Sequence, residues 1–356
     1  MINIKPNRMM KIGIIIFAVL TLGIIGYAAK NVVSNQLLPS SPQYVVSHAI
    51  DAYKQHNPTT FSNYVDINSV AASVNTSWHA YEKNSSNKAF ISCPASTAPG
   101  FTGYINNLVN GSAKLIKSSK TNIGIDYILL SISDYKITNI KNTADDVKSF
   151  DLVAKSTENS SIVIPMTIKK SGDDWKISSI NVTNLFAAYD NEVKRQAIEF
   201  GKTTKAYQDK LTAIYGNVNS DTDIGPFIEE RTYEDMIKRY DDTENLLKSK
   251  LDNYNKAIAI LNNIPDTNEV GKIYKYYALD ILNYGVKKAT IQIDAVRKIN
   301  ENYKTAYAHH DSGIQETFTL NSKNIDIYGD ADKSIKKLGH VQVILGKLKT
   351  IDNLMK

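Results

Sequence analysis

Apolar positions change their spacing three times along this chain, and each change marks a different kind of element. The first regime is continuous. Ile12 to Ala29 is eighteen residues without a charge, bracketed by Lys11 and Lys30. As a helix it measures about 27 Å, close to the hydrocarbon thickness of a bilayer. The pattern predicts a transmembrane signal-anchor, with a cleaved signal peptide as the competing reading, for which Gly26-Tyr27-Ala28 is a poor cleavage site. Lys5, Arg8 and Lys11 place the N-terminus in the cytoplasm and the remainder outside, a single-pass cell-membrane arrangement with membrane contact.

The second regime is helical and then strand-like. After a spacer at 30–41, Tyr44, Val45, His48, Ala49, Ala52 and Tyr53 share one helical face. Asn57-Pro58 ends that helix, a second runs through Phe61 and Tyr64, and Asp66 caps a third carrying Val70, Val74, Ser77, Trp78 and Tyr81. A small-residue loop at 84–100 precedes a helix from Phe101 to Ile116. Strand patterns follow over Ile125–Ile140, Ser149–Ser156, Ser161–Lys169 and Trp175–Ile180, with a turn at Ser171 to Asp174. Helices followed by an antiparallel meander predict an α+β domain over 42–186.

The third regime is long-period helix. Asn184 to Tyr215 reads as one helix ended by Gly216. From Thr232 to Asn262, positions 233, 237, 240, 244, 247, 251, 254, 258 and 261 form a coiled-coil-like seam interrupted only by Glu244. Val270 to Ala308 continues as a helix with Ile273, Tyr277, Ile281, Tyr284, Ile291, Val296, Ile299 and Tyr303 on its inner face. A loop is expected from His309 to Gly329, then a last helix capped by Asp330 or Asp332 and carrying Ile335, Leu338, Val341, Leu345, Leu348 and Ile351. Residues 187–356 therefore read as an all-α long-helix bundle. It is self-contained, or it meets a protein partner or a second copy of itself through its helical faces.

Charge narrows the choice of partners. A net charge of +6 from 42 basic and 36 acidic residues is mild at this length, and the charges are interspersed, so no nucleic-acid partner is expected. The lone Cys93 excludes an intrachain disulfide.

Candidate chemistry is sparse. Phosphate loops, zinc-ligand spacings and nucleophile motifs are missing, so no catalytic residue, no cofactor and no metal is expected, and the chain does not read as an enzyme. His309-His310-Asp311 is a weak ligand set, because adjacent side chains point apart. One near-match exists: Asn219, Asp221, Asp223 and Glu230 hold oxygen-ligand positions of a calcium loop, yet Ile224 stands where that loop needs glycine. The pairs Asp145-Asp146 and Asp173-Asp174 fall in turns, where Asp is ordinary.

Two stretches carry a resemblance. Ser41-Pro42-Gln43-Tyr44, Ala49-Ile50, His56, Phe61 and Tyr64 through Val70 resemble the opening of a family of bacterial membrane-anchored domains of unknown function. Gly172-Asp173-Asp174-Trp175-Lys176-Ile177 is similar to the last hairpin of nuclear transport factor 2-like (cystatin-like) cone folds. The resemblance covers about residues 41–186 and transfers no catalytic residue; where the family commonly has an acid, this chain has His56. It implies a cystatin-like fold that often encloses a pocket, and Trp78, Tyr81, Tyr127 and Trp175 are the candidates to line one. The competing reading is that these aromatics simply fill the core. Function then reads as binding or envelope scaffolding, with a small-ligand carrier or enzyme using the cone pocket as the alternative.

Overall fold

The computed structural model describes residues 38–85, 97–112, 132–156, 161–218, 222, 224, 232–309, 314–339 and 341–355. The chain is α+β and divides into two compact units, the first ending at Gln196 and the second starting at Ala197.

Unit 1 opens with α1 (Pro42–Lys54), α2 (Pro58–Tyr64), α3 (Ile67–Asn84) and α4 (Ala98–Val109). Each has a side-chain cap on its first turn: Ser41 accepts from the Tyr44 N–H, Asn57 from Thr60, Asp66 from Ser69 and Thr97 from Gly100. Pro42 and Pro58 stand in the first turn, where a missing N–H costs nothing. The expected helix from Phe101 to Ile116 starts three residues earlier and stops at Val109; Asn110 caps it and Gly111, at φ 75°, turns the chain away.

The sheet is an antiparallel meander in sequence order, β1 (Ile132–Ala144), β2 (Val147–Ser156), β3 (Ser161–Ser171) and β4 (Asp174–Ile180). One face is core: Phe150, Leu152 and Ala154 of β2 meet Ile162, Ile164, Met166 and Ile168 of β3. On β4 an extra residue, Ser178, lets both Ile177 and Ile180 face inward despite their odd spacing. Helices α1, α2 and α3 pack against the sheet, and α4 packs on α3. Val65 forms a parallel bridge to Ile177, and the Asp66 N–H donates to the Ile177 carbonyl at 2.9 Å, so the α2–α3 junction is stitched to the edge strand.

Helix α5 (Thr183–Val218) serves both units. It runs two residues past the expected stop, because Gly216 sits inside the helix and does not end it. Unit 2 continues with α6 (Tyr233–Asn263), capped by Thr232, and α7 (Glu269–Ala308), capped by Asn268. They run antiparallel. Gly285 of α7 lies under the Tyr254 ring, Tyr303 stacks on Tyr240 with centroids 5.6 Å apart, and Tyr307 donates to Glu234 at 2.6 Å. The heptad positions Tyr240, Leu247, Tyr254 and Leu261 are all buried. The exception in the seam is explained: Glu244 accepts charge-assisted bonds from Lys248 at 2.9 Å and Arg297 at 3.2 Å. Lys248 first, then Arg297, holds its carboxyl below the ordinary range against the opposing effect of burial.

Two expectations about the remaining helices fail. The expected loop at 309–329 is largely helical, since α8 spans Ile314–Lys337. Asp330 and Asp332 are inside that helix, paired with Lys333 and Lys336 one turn on, and cap nothing. The expected last helix is broken after Lys337 by Gly339 at φ 92°, and α9 (Gln342–Met355) starts beyond it. Both α8 and α9 pack on α7, which is why α7 buries residues on several sides, including Lys288 and Gln292.

The membrane, transmembrane and signal-anchor assignment is corrected as well. Among the described residues no helix is long and apolar enough to cross a membrane. The long helices are amphipathic, with charges on the faces opposite their cores. Ile12 to Ala29 lies outside the described residues.

Candidate functional site

Of the residues proposed to line a cone pocket, Trp78 and Tyr81 stand together, with ring centroids 5.5 Å apart, and Trp175 lies elsewhere. Trp78 and Tyr81 lie on adjacent turns of α3, 6% and 8% exposed, with Phe186 of α5 against both at centroid separations of 5.9 and 4.6 Å. The three rings fill space between α3 and the start of α5. The Tyr81 hydroxyl donates to Asp190 at 2.8 Å, and Ser85 donates to the same carboxylate at 2.9 Å. Burial, reinforced by the Asp190 charge, drives the Tyr81 phenol upward out of any working range. Trp175 sits at the other end of β4, half-buried, with the Lys148 ammonium 4.6 Å above its ring. That ammonium also donates to the Ser40 carbonyl at 2.6 Å, tying the segment before α1 to the sheet. Tyr127 lies outside the described residues, as do Cys93 and His310-Asp311 of the histidine cluster.

The calcium-loop ligands Asn219, Asp221, Asp223 and Glu230 also lie outside the described residues. Two residues between them, Thr222 and Ile224, are described. Ile224, in the position that needs glycine, is buried in the unit 2 core with Met236, Tyr240 and Leu247. Thr222 accepts from the Lys250 ammonium at 2.7 Å, and its carbonyl accepts from Gln292 at 3.3 Å. An ammonium at that point opposes a cation in the loop.

Unit 2 has a groove of about 660 Å³ along α7, between α6 and α8. Its apolar lining is Leu251, Ile291, Ile293, Ala295, Ile327 and Ala331. Its polar groups are already engaged. Thr290 donates to the Val286 carbonyl and Ser334 to the Asp330 carbonyl, both at 2.8 Å. Lys298 pairs with Asp294 at 2.8 Å, and Arg297 pairs with Glu244. Such a surface offers apolar area and shape more than unmet polar valence. The heptad pattern could not reveal it, because Ile327 and Ala331 fall at and just beyond the end of the stretch that reads as a loop.

A second concavity, about 420 Å³, lies on the outer face of the sheet and is lined by Asn139, Lys141, Ser149, Asp151, Thr167 and Ser179 among others. Beside it β1 bulges: Asn139, at φ 55°, and Ile140 stand together opposite Phe150, and Asn139 donates to Asp151 at 2.7 Å. Sequence reasoning missed this site, since its residues are far apart in the chain and meet only through strand register.

Comparison with known proteins finds no match: no protein-family model, no curated protein and no solved structure is similar to this chain.

Proposed function

We propose that the chain is a non-catalytic binding protein whose second unit receives an amphipathic helix of a protein partner in the groove along α7. One observation carries the reading: an apolar floor between α6 and α8 whose polar rim is internally satisfied. A small polar ligand would find few open hydrogen-bond partners there, whereas a helix bearing apolar residues at i, i+3, i+4 and i+7 gains by covering the floor. Unit 1 is proposed as a cystatin-like cone. The helices-then-meander order and the helices packed on one sheet face support that assignment. The small-ligand reading of the cone is weaker, because Trp78 and Tyr81 pack against Phe186 with little exposed surface.

The test is a photo-crosslinking amino acid at Ser334, with Gly103 of α4 as the control position. A protein adduct at position 334 that Thr290→Arg suppresses supports the proposal. An adduct with a second copy identifies self-association as the partner. Adducts that ignore Thr290→Arg, or none at all, overturn it.

A further inference from the structure

The outer face of the unit 1 sheet carries an ordered grid of polar side chains. Strand register places Lys141, Ser149, Thr167 and Ser179 side by side in one rung across all four strands. The next rung pairs Asp151 with Pro165, whose carbonyl accepts from the Asn181 N–H at 2.9 Å. Neighbouring side chains in such a grid stand about 4.8 Å apart across strands. That is close to the separation of 1,3-related equatorial hydroxyls on a six-membered sugar ring.

The three hydroxyls in the first rung differ from most helix hydroxyls of unit 1. On the helices, Ser47, Ser62, Ser69, Ser73, Thr76, Ser77 and Thr102 all donate to backbone or side-chain acceptors. Ser149, Thr167 and Ser179 make no side-chain hydrogen bond to a described residue, although each is half-buried in the concavity. A hydroxyl both donates and accepts, and the ligand groups that match a row of them are other hydroxyls. The charges on the grid oppose one another: Lys141 is a cation, and Asp151 is an anion already held by Asn139. The surface therefore has no net preference for a charged ligand. The Pro165 ring supplies an apolar patch, as the C–H face of a sugar requires.

We propose that this grid binds a neutral oligosaccharide, with Ser149, Thr167 and Ser179 as its hydrogen-bonding row. The site lies in unit 1 and does not depend on the helix-receiving groove of unit 2. The experiment titrates the full-length protein with maltotetraose, cellotetraose and tetra-N-acetylchitotetraose, following backbone amide signals by NMR and affinity by calorimetry. Binding of at least one probe should move the amides of residues 149, 167 and 179. The double variant Thr167→Val, Ser179→Ala keeps the side-chain volumes nearly unchanged and should weaken that binding about tenfold, the effect of losing two ordinary hydrogen bonds. Ser178→Ala should leave affinity intact, because that hydroxyl donates to the Thr167 carbonyl and is not part of the row. If the double variant melts early, Ser149→Ala alone serves as the readout. No shift at these amides with any of the three sugars, or equal binding by the hydroxyl variants, overturns the proposal.

Discussion

At the scale of single residues, close approach of helices in unit 2 depends on having no side chain at two points. A Cβ at Gly271 would stand 2.6 Å from Cδ2 of Phe200, and one at Gly285 would stand 3.0 Å from the Tyr254 ring. Gly271→Ala therefore forces the buried Phe200 ring to move and should cost about 1–3 kcal/mol. Gly103, inside α4, has nothing within 4 Å of the same position. There alanine removes only the entropy cost of glycine, and Gly103→Ala should stabilise by about 0.5–1 kcal/mol. Thermal melts of the two variants should move in opposite directions; movement in the same direction would refute the packing account. The resembling residues at the start of unit 1 are explained at this scale too. Ser41, Pro42 and Asp66 start helices, Val65 bridges to the sheet, and His56 takes a left-handed conformation at φ 50° after α1, with its ring 3.3 Å from the Val109 carbonyl. These contacts account for them by the folding of the domain.

At the scale of elements, the α6–α7 hairpin shows what periodicity reveals and what it hides. The buried heptad of Tyr240, Leu247, Tyr254 and Leu261 was legible, because burial on one face repeats with the helix period. The reason for Glu244 was not, since its partner Arg297 is on another helix. Helix α8 was illegible for a different reason. Its described face toward α7 is narrow, with Asn324 and Ala331 as the buried positions, and a polar, short-chained stripe reads as loop. The outward hydroxyl row needed register, which alternation alone does not set. The Glu244 pairing has a pH signature. Its carboxyl is held down in the folded state, so its stabilising contribution is present above the unfolded carboxylate value of about 4.3 and fades as pH falls through the lower folded value. Glu244→Gln should lose about 0.5–1 kcal/mol at pH 7 and nothing against wild type near pH 2, as read from urea midpoints. A difference that persists unchanged at pH 2 would assign the loss to packing.

At the scale of the whole molecule, the two compact units have separate cores and separate reporters. Both tryptophans, Trp78 and Trp175, belong to unit 1, while helix is abundant in both units. Tryptophan fluorescence should therefore follow unit 1 alone, and circular dichroism at 222 nm should follow both. Gly271→Ala is expected to move the dichroism transition while leaving the fluorescence transition where it was. Coincident shifts by both probes would mean the chain unfolds as a single cooperative body.

The bulge in β1 has a further consequence. β1 is an edge of the described sheet, and an edge strand exposes a row of hydrogen-bonding groups that a second chain could extend. By spending two residues opposite Phe150, Asn139 and Ile140 break the even spacing that an incoming strand would need to match. The kink that shapes the polar concavity thus also acts as a guard against fibril-like stacking. A chain shortened by one residue at Ile140 would set Asn139 alone opposite Phe150 and leave Thr138 and Lys141 opposite Asp151 and Ser149, so this stretch of the edge would lose its guard while Ser149, Thr167 and Ser179 kept their row.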